Sequence, residues 1–189
     1  MKTLTEVYKK YSTDSPWGDK GTGHSYIPIY DRYITKTDSI NFLEIGVCFG
    51  HSLAMWGEYL TNSNVYGMDN TDQISTCLDK KTYPAEDHNY KFLLGDSTTQ
   101  ESTKLIDGIM FDYILDDGSH VLQHQIKTFL LYWPYLKEGG TYFIEDINNI
   151  DYARGVLKET FEDITKDVHI YDGRYQTQRS DDVIIIINK

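Results

Sequence analysis

The side chains best suited to chemistry gather in two short stretches: Asp116-Asp117-Gly118-Ser119-His120 and, 25 residues beyond that histidine, Glu145-Asp146. Carboxylates bind cations and accept hydrogen bonds, and an imidazole exchanges a proton near neutral pH. Each stretch follows a short apolar run, Tyr113 to Leu115 and Tyr142 to Ile144, so both acidic pairs are expected at carboxyl ends of strands. If those strands are neighbours in a parallel sheet, several carboxylates and an imidazole converge on the rim where open α/β sheets bind ligands.

The elements that would position these groups alternate between strand-like and helix-like patterns with short connections, the signature of βαβ units. Strands are expected at Asn41 to Ile45, Val65 to Met68, Tyr90 to Leu94, Tyr113 to Leu115, Thr141 to Ile144, Val168 to Tyr171 and Val183 to Ile187. Helices are expected at Ser52 to Leu60, Ile74 to Lys81, Ser102 to Ile106, Val121 to Tyr135 and Tyr152 to Phe161. In Val121 to Tyr135, the residues Leu122, Ile126, Phe129, Leu130 and Trp133 fall on one face. Gly139-Gly140 closes that connection, Val168 to Tyr171 alternates as an edge strand would, and the apolar Val183 to Ile187 suits burial on both faces. No linker or internal repeat appears, which predicts a single domain over residues 1–189 with a helical leader of about forty residues. In that leader, Tyr26, Tyr30 and Tyr33 recur at helical spacing, a pattern that fits packing of an amphipathic helix better than sugar stacking.

Charge narrows the partners. The chain carries 29 acidic and 18 basic residues, a formal net charge of -11. Nucleic acid and anionic membrane need clustered cations, so neither is expected, whereas a neutral or cationic small molecule or a metal fits. Cys48 and Cys77 lack metal-ligand spacing and read as reduced thiols of a cytoplasmic protein. Neither a signal peptide nor a membrane span is predicted.

A ligand pattern emerges from the first three strand ends. Glu44-Ile45-Gly46-Val47-Cys48-Phe49-Gly50-His51-Ser52 occupies the first strand-to-helix turn, where glycines permit close backbone approach and Glu44 accepts from ammonium or hydroxyl groups. With Cys48 where G-x-G-x-x-G has its second glycine, this turn would cradle a pyrophosphate poorly. Asp69 ends the next strand 25 residues beyond Glu44 and suits a ribose diol, while Gly95-Asp96-Ser97 suits an adenine amino group. An adenosine with an amino-acid tail and no pyrophosphate satisfies all three, and S-adenosylmethionine is such a ligand.

The order Phe42-Leu43-Glu44-Ile45-Gly46, Gly67-Met68-Asp69, Gly95-Asp96, Asp112 to Leu115 and Gly139-Gly140 resembles a class I S-adenosylmethionine-dependent methyltransferase. Asp116 to His120 together with Ile144-Glu145-Asp146 resemble the macrocin and mycinamicin type of sugar O-methyltransferase. Trp17 to Tyr26 resembles an amino-terminal signature of related small O-methyltransferases. The resemblance implies a Rossmann-like sheet of seven strands, mostly parallel with an antiparallel carboxyl-terminal strand, and helices on both faces. It implies S-adenosylmethionine near Glu44, Gly46, Gly50, Ser52, Asp69, Asp96, Ser97 and Asp116, and Mg2+ on Asp117, Glu145 and Asp146. His120 matches the family's general base, and the acceptor would be a hydroxyl of a sugar or similar small diol. A homodimer is also expected.

Several residues retain a second reading. His120 is a base or a helix cap; Asp116 contacts the ammonium of the ligand or merely ends its strand. His124 is a ligand contact or an exposed helix residue, and Lys20 and His24 close over the ligand or stay on the surface. Asp181-Asp182 reads as turn chemistry. A catechol-like phenol would chelate the same metal, a nicotinamide oxidoreductase would suit Asp69 but not the missing glycines, and a non-catalytic scaffold would not need such convergent charge.

Overall fold

The structure is a computed structural model that describes residues 2–12, 18–35, 39–76, 89–161, 164–165 and 167–189. Seven strands form one sheet in the order β3-β2-β1-β4-β5-β7-β6. They are β1 (Asn41–Ile45), β2 (Asn64–Asp69), β3 (Lys91–Leu94), β4 (Phe111–Asp116), β5 (Leu136–Ile144), β6 (Val168–Asp172) and β7 (Val183–Asn188). β1 to β5 run parallel, and β7 inserts antiparallel between β5 and β6.

Alternation along the strands splits the core into two layers. Phe42, Leu115, Phe143, Ile184 and Ile186 face α1 (Leu4–Ser12), α2 (Ile27–Tyr33) and α3 (His51–Tyr59), so the leader is a structural layer of the fold. Leu43, Ile45, Ile114, Tyr142, Ile144 and Ile185 face α5 (Leu122–Tyr132) and α6 (Ile150–Phe161). Two short helices, α4 (Gln73–Thr76) and α7 (Arg174–Thr177), complete the order. Because α3 lies on one face and α5 on the other, a crevice opens between the carboxyl ends of β1 and β4, the switch point of the sheet.

Gly46, just past β1, is held at a φ of 83°, and a Cβ there would stand 2.0 Å from the carbonyl oxygen of Asp117. Only glycine allows the two strand ends to approach so closely. His120 and Asp146 also have positive φ, 54° and 56°. Non-glycine residues in this conformation cost about 1–3 kcal/mol each and persist where the surroundings hold them, commonly at functional sites.

Several details differ from expectation. α5 buries Gln125, Thr128, Phe129 and Tyr132, while Leu130 is 48% exposed, because the start of the helix faces a polar crevice and not only the apolar core. It ends at Tyr132, and Trp133–Tyr135 continues as a 3-10 turn around Pro134. β5 begins at Leu136, ahead of the expected Thr141, since the register shift opposite Phe111 and Tyr113 absorbs Gly139 at a φ of 77°. α7 was not foreseen. The helix expected at Ile74 to Lys81 is described through Thr76; its remainder, Cys77 and Trp17 lie outside the described residues.

Candidate active site

The carboxyl rim of the sheet divides into two halves. The first is a cavity of about 250 Å³ above β1 to β4, lined by Gly46, Asp69, Asp96, Ser97 and Asp116 together with Asn70, Gly95, Thr98, Gly118, Gln125 and Thr128. Its acids are held by nearby backbone. Asp69 Oδ2 accepts from Val47 N at 3.1 Å and Cys48 N at 2.9 Å, and its Oδ1 accepts from Thr71 N at 3.0 Å. Asp96 Oδ1 accepts from Thr98 N at 2.9 Å and Thr98 Oγ1 at 2.8 Å, bonds that hold its carboxyl below the usual range. Asp116 is 1% exposed; its Oδ1 accepts from Gly118 N at 3.1 Å, and its Oδ2 has no hydrogen-bond partner in the structure. Burial pushes Asp116 up to about 7.

The second half joins the ends of β4 and β5 to the leader. Lys20 Nζ donates to Asp117 Oδ2 at 2.6 Å and to Glu145 at 2.9 and 2.8 Å, and lies 3.5 Å from Glu44 Oε1. Lysine burial opposes the charge, but three carboxylates hold it: Lys20 stays well above its ordinary value because of Asp117, Glu145 and Glu44. Burial pushes Glu145 up, yet an ammonium within 3 Å of both its oxygens keeps the proton on the lysine in this arrangement. The Tyr30 hydroxyl also donates to Glu145, and Tyr26 donates to Asp146 Oδ1 at 2.8 Å.

His120 sits between two carboxylates, its Nε2 3.1 Å from Asp117 Oδ1 and its Nδ1 3.5 Å from Asp146 Oδ2. The hydrogen bond to Asp117 raises the imidazole to about 9. Against burial, Lys20 and His120 hold Asp117 below the ordinary carboxylate range, while burial raises Asp146. Donor atoms of Asp117, His120 and Asp146 lie within 4.8 Å of one another, an oxygen and nitrogen set that fits a divalent cation.

The structure therefore brings Asp116, Asp117, His120, Glu145 and Asp146 to one rim as the motif spacing implied. It does not bring Glu44, Gly50 or Ser52 to the cavity. Glu44 is fully buried and turns toward Lys20, because its side chain alternates to the leader face of β1; burial pushes it up to about 7. Gly50 packs against Ile74 at the start of α3, and Ser52 lies beside the Glu44 carboxyl on the leader side, in a small pocket shared with Lys20 and Tyr11. The surface reading of Lys20 and His24 fails, since they are 5% and 3% exposed. His120 does not cap α5, whose N-cap is Val121 without a side-chain bond. His124 is exposed at the cavity mouth with its Nδ1 2.9 Å from Ser119 Oγ. Asp182 is more than a turn residue: it is fully buried and accepts from Ser25 N and Oγ.

Sequence reasoning missed Gln125, Tyr26 and Tyr30 as parts of the site. Gln125 Nε2 donates to the Glu145 carbonyl at 2.8 Å, a role hidden by its place beside the apolar Ile126. Helical spacing marked the two tyrosines as buried, and their hydroxyls reach Asp146 and Glu145 from that buried face.

Comparison with known proteins fits this rim. The chain is 29% identical over 153 residues to demethylmacrocin O-methyltransferase of Streptomyces fradiae, covering 76% of this chain and 36% of that protein. It is 31% identical over 155 residues to L-olivosyl-oleandolide 3-O-methyltransferase of Streptomyces antibioticus, with the same coverage of 76% and 36%. The chain thus spans about a third of the length of these curated relatives. In fold it is similar to MycE methyltransferase from the mycinamycin biosynthetic pathway, solved in complex with Mg, SAH and mycinamycin VI. That match has a TM-score of 0.75 and 22% identity, and covers 100% of this chain and 53% of that one. The methyltransferase domain family matches residues 43–147, a stretch running from β1 past Asp146 through the carboxyl ends of β1 to β5, and the chain belongs to that family.

Proposed function

We propose that the chain transfers a methyl group from S-adenosylmethionine to a hydroxyl of a sugar or similar small diol, assisted by a divalent cation such as Mg2+. One observation carries this reading: inside the cavity Asp116 presents a buried carboxylate oxygen without a partner, on the residue that precedes Asp117 of the Asp117, His120 and Asp146 group. A buried carboxylate left unpaired is costly, and a ligand ammonium would pair it. Asp96 and Ser97 lie where an adenine amino group would be read, and Asp69, though bonded to its own loops, keeps lone pairs for a ribose diol. Gly46 keeps the floor of the site open.

S-adenosylmethionine supplies the methyl group on a sulfonium. A divalent cation held by Asp117 and Asp146 would acidify a bound hydroxyl and offset the carboxylates' pull on His120, while Glu145, expected as a third carboxylate, turns both oxygens to Lys20. His120 would take the hydroxyl proton on a ring nitrogen as the oxygen bonds the methyl carbon and the carbon–sulfur bond breaks. Asp117 and Asp146 orient that ring from two sides. The rest is positioning.

The curated relatives named above act on sugar-bearing products, and the -11 charge favours a small acceptor over nucleic acid. Among the described residues no helix is long and apolar enough to cross a membrane, and a cytoplasmic location and a homodimer complete the reading. Calorimetric titration with S-adenosylmethionine, with magnesium and again with chelator, tests it. Binding at micromolar level, about -8 kcal/mol, is expected. Binding of NAD in place of S-adenosylmethionine would overturn the methyltransferase reading, and silence toward both ligands would favour a scaffold.

A further inference from the structure

The leader carries a cation into the rim that the reaction does not use. Lys20 is 5% exposed, and its ammonium meets carboxylates from the ends of three adjacent strands: Glu44 from β1, Asp117 after β4 and Glu145 after β5. Its backbone is fixed as well, since Tyr26 N donates to the Lys20 carbonyl at 3.0 Å. Asp117 is divided between two sites. Its Oδ2 faces the ammonium, and its Oδ1 faces His120 and the donor group shared with Asp146.

The carboxylates thus outline two adjacent cation positions, one of them already filled by the chain. A neighbouring group of His24, Asp146 and Asp181 offers no third, because Arg179 bonds both Asp181 oxygens at 3.1 and 3.2 Å. We propose that Lys20 is the resident cation of this rim: a positioning residue that neutralises Glu145 and half of Asp117, restricts the site to one divalent ion and holds that ion's affinity down.

The inference rests on the metal reading above. The ammonium bonds one oxygen of Asp117 while the other faces the donor group, so it repels a cation bound there, and replacing it by a neutral side chain tightens metal binding. A purely structural lysine predicts the reverse, because loss of a buried partner loosens the carboxylates and weakens the site.

Mn2+ is titrated into the chelator-stripped full chain and into Lys20→Met and Lys20→Gln, with free Mn2+ read by electron paramagnetic resonance. The wild type is expected to bind one ion, and both variants to bind about tenfold more tightly. Thermal melts provide a second readout, with a larger Mn2+-induced rise in melting temperature in the variants than in the wild type. If Lys20→Met does not fold, Lys20→Gln decides, since its amide still donates to Glu145. Equal or weaker Mn2+ affinity in the folded variants, with the wild type binding normally, overturns the role of Lys20 and leaves the metal reading intact. A wild type that binds no Mn2+ overturns both.

Discussion

The two halves of the rim hold their carboxylates by different means. In the cavity half, Asp69 and Asp96 lean on backbone amides a few residues away or at the adjoining strand end, at Val47, Cys48, Thr71 and Thr98. In the leader half, Asp117, Glu145 and Asp146 rely on Lys20, Tyr26 and Tyr30, groups from about a hundred residues away in sequence. Backbone amides are fixed once the loop forms, so a locally held acid is ready for a ligand whenever the sheet is folded. An acid held by distant side chains is ready only when the leader has docked. On the proposed function, binding of the adenosine part would be a property of the sheet, and positioning of the reacting hydroxyl a property of sheet and leader together.

Substitutions can separate the halves, and the largest effect is expected at His120. His120→Ala should lower kcat by about 10²–10⁴-fold, the range of a lost general base, while the dissociation constant for S-adenosylmethionine changes little. Turnover equal to wild type would remove the histidine from the mechanism. Next in size is Asp116→Asn, which keeps the shape of the cavity and removes the charge facing a ligand ammonium. Calorimetry should show S-adenosylmethionine affinity falling by about 10–100-fold, the loss of one charged hydrogen bond, with Mn2+ affinity retained. If metal binding falls instead, the two halves are one site.

The smallest effect is expected where the leader meets solvent. Glu58 on α3 accepts from Lys2, Lys10 and the Tyr11 hydroxyl at 2.8, 2.5 and 2.7 Å. Burial opposes its charge, but bonds from Lys10, Lys2 and Tyr11 bring the carboxyl down to about 2. A folded-state value below the unfolded one means that this contact stabilises above about pH 4.5, weakens as the pH falls, and is lost below about 2. Because the lysines are solvated, Glu58→Gln should cost below about 1 kcal/mol at pH 7 and less at pH 2, read by urea unfolding at each pH. A larger cost would make the outer anchor an equal of the Lys20 anchor.

Much of this was legible in the chain. The runs Asn41 to Ile45 and Val183 to Ile187 announced two strands, the second buried on both faces, and both formed. The spacing from Asp117 to Glu145 and Asp146 marked adjacent strand ends, since β4 and β5 pair in parallel. Glu44 misled because its position at a strand end was visible while its face was not. An alternating strand offers two faces, and only packing against the leader decides that Glu44 meets Lys20 and not the cavity. Gln125 misled for the opposite reason: helical periodicity assumes an apolar neighbour, and the crevice supplied a polar one.

By itself, then, the sequence determined the strands and the acidic and imidazole groups carried at their ends, because hydrophobic periodicity and turn chemistry act over a few residues. The tertiary structure alone decided the order of the strands in the sheet, which carboxylates face the cavity and which face a lysine, and that Tyr26 and Tyr30 turn their hydroxyls to Asp146 and Glu145. Those pairings depend on how buried charges find partners across the folded chain, where desolvation makes an unpaired group costly and no local pattern records the partner.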